Sequence, residues 1–140
     1  MQRVLVTAGA SGIGYALAEA FYAEGYKVWI IDVSENDLKK CPTNWEQTKL
    51  DVSDENAMGD LFSTINIKWG GLDVLCANAG TAGATELIED QDLLAFRKCL
   101  DVNLIGAFLS VKGCLPMMKK QGKGAIIFTS STAGLYGFPY

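Results

Sequence analysis

The residues that could do chemistry in this chain begin with Thr7-Ala8-Gly9-Ala10-Ser11-Gly12-Ile13-Gly14, set directly after the apolar run Arg3–Thr7. Glycines in that position let a backbone turn tightly and approach a pyrophosphate, which then sits on free N–H groups at a helix N-terminus. The same glycines would also serve a plain tight turn that needs positive φ. What favours the anion site is their place between a strand-like run and a helical one. Eighteen residues after Gly14, Asp32 closes the next apolar run, Lys27–Ile31. A carboxylate there can accept from both hydroxyls of an adenosine ribose, or it can serve as a turn or helix-capping aspartate.

The charge on Asp32 also discriminates. A 2′-phosphate about 5 Å away would be repelled by roughly 3 kcal/mol at an effective dielectric near 20, about a hundredfold in affinity. Neither Ser11 nor Val33 and Ser34 brings a cation to offset that. The expected cofactor is therefore NAD rather than NADP. Asp51 and Val52 end a third β-rich run, where the carboxylate could accept from an adenine amino group and the valine could pack on the ring. Asn78, Ala79 and Gly80 end a fourth, small enough for backbone to pass under a bound cofactor. Each of these two sites taken alone reads equally well as a turn.

What is absent narrows the chemistry. The chain has no histidine, which removes Ser-His-Asp and Cys-His catalysis and leaves no metal site to expect. Cys41, Cys76, Cys99 and Cys114 lie far apart with no C-x-x-C pair, which reads as reduced, buried thiols in a reducing compartment. A net charge of −4 with scattered Lys and Arg argues against a nucleic acid or an anionic membrane as partner. Met1 runs almost at once into a strand, leaving no room for a signal peptide. The apolar stretch from Asn103 to Met118 is interrupted by Lys112 and Pro116 and is expected to be too short to cross a bilayer. A cytoplasmic protein is the expectation.

The elements that must hold these residues alternate. Residues 3–7, 27–31, 47–52, 72–77 and 125–130 are short apolar runs suited to strands buried on both faces of a parallel sheet. Residues 12–25, 34–41, 53–70, 90–100 and 101–121 read as helices, with Ser34 and Ser53 as N-cap residues and Gly25 as a stop. Alternation of this kind gives right-handed crossovers and an α/β, Rossmann-like doubly wound parallel sheet in a single domain, 1–140. The helix at 101–121 is apolar on more than one side and is expected to pack on a second subunit, making a homo-oligomer.

Together, "TAGASGIG", Asp32, "LDV", "CANAG", "VNLIGAF" and "IIFTSSTAG" resemble, in order and spacing, the short-chain dehydrogenase/reductases over the whole chain. The resemblance implies that Gly9, Ser11, Gly12, Ile13, Gly14, Asp32, Asp51, Val52, Asn78, Ala79 and Gly80 hold the dinucleotide. It also implies catalytic roles for Asn103, kinking the long helix and holding a relay water, and for Ser131, bonding the substrate carbonyl. Ser131 rather than Ser130 matches, because it stands three residues before Gly134. The sequence departs from the family at Ala8, where a glycine is usual, and a methyl there could crowd the ribose.

The family's Tyr-x-x-x-Lys pair does not occur in residues 1–140, and neither Tyr136 nor Tyr140 fits its spacing. The resemblance implies that the pair lies a short way beyond Tyr140. The expectation is an N-terminal part of an NAD-dependent secondary alcohol dehydrogenase, ending after the fifth strand and inactive alone, with strand 125–130 and helix 101–121 left uncovered. The alternative is a non-catalytic NAD-binding module. The two differ in whether a polar or an apolar surface covers helix 101–121, where Leu104, Ile105, Phe108 and Leu109 favour the former reading.

Overall fold

Five strands run Arg3–Thr7 (β1), Lys27–Asp32 (β2), Glu46–Lys49 (β3), Val74–Ala77 (β4) and Ala125–Phe128 (β5). The structure, a computed structural model, describes residues 1–137; readings that fall on Tyr140 lie outside the described residues. Every strand pairing is parallel, and the sheet order is β3-β2-β1-β4-β5. The chain builds outward from β1 in one direction and then in the other. The order therefore reverses between β1 and β4, the place where open α/β sheets bind ligands at the strands' carboxyl ends.

Helices Gly12–Ala23 (α1) and Glu35–Leu38 (α2) cover one face; Glu55–Trp69 (α3) and Gly106–Gln121 (α5) cover the other. Strand residues alternate between the two layers, as the pleat requires. Val4, Val6, Val28, Ile30 and Cys76 join Ala18, Leu38 and Trp45. Leu5, Trp29, Ile31 and Leu75 join Met58, Phe62, Ile65, Leu109 and Met117. Both cores are fully buried at the centre, with Leu5, Ile30, Ile65 and Leu75 at 0% exposure.

The edges differ from the centre. β3 is shorter than residues 47–52 and polar, Glu-Gln-Thr-Lys, because an edge strand need not be apolar on both faces. Leu50 and Val52 lie beyond it and turn inward to the core. β5 forms the other edge, and its Ile127 and Phe128 stand largely exposed despite their apolar type.

Residues 90–100 and 101–121 are one continuous helix rather than two. Leu93–Leu100 (α4) passes through a π-turn at Asp101–Ile105 into α5. A Cβ on Gly106 would approach Val52 Cγ2 to 2.5 Å, so the bare glycine lets the helix lie close over the end of β3. The joined helix, Leu93–Gln121, has 29 residues and a mean hydropathy of 1.3 in its most apolar window. By length and composition alone the joined helix is long enough to cross a membrane, longer than the stretch Asn103–Met118 considered by itself. In the fold it forms a layer on the sheet, with Leu109, Cys114, Met117 and Met118 buried. Leu104, Ile105 and Phe108 remain exposed.

Candidate functional site

The site is built where β1 and β4 end side by side. Thr7, the last residue of β1, is 1% exposed. Its hydroxyl oxygen accepts from the amides of Asn78 and Ala79 at 2.9 and 2.8 Å, and it donates to the Cys76 carbonyl at 3.4 Å. Asn78 returns the link: its side-chain amide donates to the Thr7 carbonyl at 3.1 Å, and its side-chain oxygen accepts from the Thr129 hydroxyl at 2.8 Å. The glycine loop and the Asn78-Ala79-Gly80 turn are thereby one bonded unit. The sequence reading named Thr7 only as the start of the glycine loop and missed its linking hydroxyl and Thr129, since a threonine at a strand end is ordinary β composition.

Each glycine of the loop has its own reason. The Gly9 amide donates to the Ile31 carbonyl at 3.0 Å, and a Cβ there would stand 2.6 Å from Ile30 Cγ2. A Cβ on Gly14 would run into the Ala8 carbonyl, and 2.8 Å from the Asn78 side-chain nitrogen. Gly12 is different: it has φ +52° and open space around the Cβ position. Ala8 carries φ +49° without being glycine, the one such residue among those described. The methyl at position 8 thus costs backbone strain of about 1 kcal/mol, a penalty beyond the crowding expected from sequence.

Helix α1 opens with no acidic residue in its first turn and no side-chain cap from Ser11. Its first internal bond is the Tyr15 amide to the Ser11 carbonyl, 3.1 Å. Among the described residues no group accepts from the amides of Gly12, Ile13 and Gly14. Orphan N–H groups at a helix start, open at Gly12, are the donor set a pyrophosphate needs. The residues present therefore fit a dinucleotide's phosphates. Ile13 is 65% exposed beside them, an apolar flank to the same opening.

Asp32 ends β2 next to this loop. One carboxylate oxygen accepts from the Ala10 amide at 3.2 Å and the other from the Ser34 amide at 3.0 Å. The turn-aspartate and the ribose-acceptor readings are compatible: two amides orient the group, and acceptor capacity remains. Asp51 follows β3 and accepts from the amide and the hydroxyl of Ser53 at 3.0 and 2.6 Å. Lys98 of α4 stands 2.7 Å from its other oxygen. Lys98 first and Ser53 next hold the Asp51 carboxyl down to about 2, against partial burial. Val52 is 6% exposed and packed in the core, so its side chain is committed inward.

Asn103 sits in the π-turn. Its side chain brackets the Thr81 backbone, accepting from the amide at 2.7 Å and donating to the carbonyl at 2.9 Å; its nitrogen also lies 3.3 Å from the Cys99 sulfur. The π-turn accommodates it, and the helix runs on into α5. Gly80 lies against it, with its Cβ position 3.2 Å from the Asn103 oxygen. Ser131 lies after β5, and its hydroxyl oxygen accepts from the Ala133 amide at 3.2 Å, capping a single turn at Thr132–Gly134. The glycine loop, Asp32, Asn78 and Gly80 are thus drawn together; Asp51 and Val52 lie one strand further out. Ser131 makes no side-chain bond to Asn103 or Asn78 among the described residues.

Beyond Gly80 the loop to α4 forms a cavity of about 630 Å³ lined by Leu87, Ile88, Ala95, Phe96 and Cys99, among others. It is mostly apolar, with Glu86 and Gln91 at its wall.

Residues 2–140 match the family model of the short chain dehydrogenases. (+)-Borneol dehydrogenase 1 of Salvia officinalis is 37% identical over 97% of this chain and 56% of its own length. An NAD+-bound xylitol dehydrogenase superposes with a TM-score of 0.92 at 30% identity, covering 99% of this chain and 56% of that one. ElxO with NADP bound superposes equally well, TM-score 0.92 at 34% identity, covering 99% of this chain and 59% of that one. The chain thus spans a little over half the length of the relatives it matches.

Proposed function

Because this chain belongs to the short-chain dehydrogenase/reductase family of nicotinamide-dependent oxidoreductases, we propose that residues 1–140 form the dinucleotide-binding part of an NAD-dependent enzyme interconverting a secondary alcohol and a ketone. The observation that carries this reading is the open start of α1, where three backbone amides stand without acceptors beside the carboxylate of Asp32. Gly9, Ser11, Gly12, Ile13 and Gly14 hold the pyrophosphate, and Asp32 takes the ribose hydroxyls. Asp51 and the Val52 backbone take the adenine. Asn78, Ala79 and Gly80 carry the nicotinamide end toward the cavity. When bound, the nicotinamide ring supplies the site from which, or to which, hydride moves.

The chain's own residues do the remaining work. Ser131 donates to the substrate oxygen, where charge develops. Asn103 fixes Thr81, which leads into the cavity wall at Ala82, so that the substrate is presented at one angle. Leu87, Ile88 and Phe96 favour an apolar alcohol over a charged one. The proton donor is assigned to a tyrosine–lysine pair supplied from outside residues 1–140, and the 140-residue chain alone is expected to be inactive. The exposed Leu104, Ile105 and Phe108 support association between copies along residues 101–121. The unpaired cysteines support a reducing, cytoplasmic setting.

The test is a pair of initial-rate measurements on the protein carrying the tyrosine–lysine pair, with one apolar secondary alcohol and either NAD or NADP. NAD should be preferred by about a hundredfold in kcat/KM, the scale of the Asp32 repulsion. Equal use of both, or no reduction of either with any secondary alcohol, overturns the reading.

A further inference from the structure

Helix α4 carries no buried residue, yet its single lysine reaches into the candidate adenine end of the site. Lys98 Nζ lies 2.7 Å from Asp51 Oδ2 and 3.5 Å from Ser53 Oγ. Ser53 donates to Asp51 Oδ1 twice, from its amide at 3.0 Å and its hydroxyl at 2.6 Å. An ionised carboxylate offers about four lone-pair positions, two on each oxygen. Ser53 takes both on Oδ1, and Lys98 takes one on Oδ2. A single acceptor position is left, and the plane of the carboxylate is fixed from both sides.

The ion pair has little value as a stabilising contact. The Lys98 and Asp51 side chains are 57% and 37% exposed, and solvent screens such pairs to a small net energy. Its consequence is directional instead. We propose that Lys98 is a positioning residue for the dinucleotide, which with Ser53 turns the one free lone pair of Asp51 toward the exocyclic amino group of the adenine base. This rests on the reading of Asp51 as the adenine partner. Lys98 itself touches no reacting atom, and its effect passes through Asp51. It also ties α4 to the proposed cofactor end, while Cys99 and Asn103, further along the same helix, tie it to Thr81, which precedes the cavity-lining Ala82.

The experiment is equilibrium titration of the protein with NAD and with its hypoxanthine analogue, in which the adenine amino group is replaced by a carbonyl oxygen. Lys98→Met should weaken NAD about fivefold, the scale of one aligned hydrogen bond. It should leave the hypoxanthine analogue within about twofold. Lys98→Arg should restore NAD, since a guanidinium can still donate to Oδ2. A general loosening of the site would weaken both ligands alike. Equal losses for both ligands, or no loss for either, overturn the role of Lys98 if Asp51→Ala still erases the preference for NAD over the analogue. If Asp51→Ala leaves that preference unchanged, the adenine reading of Asp51 is overturned and the Lys98 role with it. If the wild-type protein binds neither ligand, the dinucleotide reading itself falls.

Discussion

The two sides of the strand reversal are held by different kinds of contact. Where β1 meets β4, the Thr7 hydroxyl is buried and bonded to two amides and a carbonyl, and Gly9 and Gly14 leave no room for a Cβ against Ile30 and the Ala8 carbonyl. One strand outward, Thr129 binds Asn78 through an exposed hydroxyl. Ile127 and Phe128 stand 42% and 56% exposed there. Buried polar bonds are expensive to open and exposed ones are not. The β1–β4 seam is therefore preorganised by its own packing, whereas the β5 side takes its shape from exposed links such as Thr129 to Asn78.

Substitutions sharpen or break this contrast. The largest effect is expected for Gly14→Ala, whose methyl runs into the Ala8 carbonyl; a loss of about 3 kcal/mol is expected in denaturant unfolding. Thr7→Val keeps the shape and orphans the part-buried Ala79 amide, the Asn78 amide keeping the Cys76 carbonyl, at a cost of about 1–2 kcal/mol and with NAD weakened in proportion. Ala8→Gly works in the opposite direction, relieving a positive φ and stabilising the loop by about 0.5–1 kcal/mol. Its midpoint should rise without a change in the denaturant slope. Thr129→Val, the outer counterpart of Thr7→Val, should cost under about 0.5 kcal/mol. Equal losses for the two threonine variants would break the comparison.

Acid gives the smallest effect. The Asp51 carboxyl is held at about 2, below its ordinary 3.8, so its contribution is present above about pH 4 and is lost as pH falls through about 2. Screening of this partly exposed pair keeps that loss small. Unfolding curves of wild type and Asp51→Asn should converge across that window and differ by a constant amount above it.

What could be read in the sequence follows the same division. Gly9 and Gly14 could be singled out because close approach to Ile30 and to the Ala8 carbonyl tolerates one residue type, and Asp32 because its strand end and its distance from the loop are fixed by the crossover. The family's order of motifs placed the rest of the inner site. Lys98 was not legible: a lysine on a polar helix reads as solvated, and only the fold brings it beside Asp51. The joined helix Leu93–Gln121 read as two, because a π-turn shifts the register without breaking the apolar pattern. Val52 read as a face for the ring, yet Gly106 opens the space that draws it into the core. The run Ala125–Phe128 has the composition of a strand buried on both faces and is an exposed edge, since side-chain type does not report which neighbours are at hand.

The most direct test of the central claim is calorimetric titration of the 140-residue chain with NAD and, separately, NADP. A preorganised site at the β1–β4 seam predicts that NAD binds to one site per chain, about a hundredfold tighter than NADP at low salt. No heat from either dinucleotide, or indistinguishable affinities for both, would contradict the account.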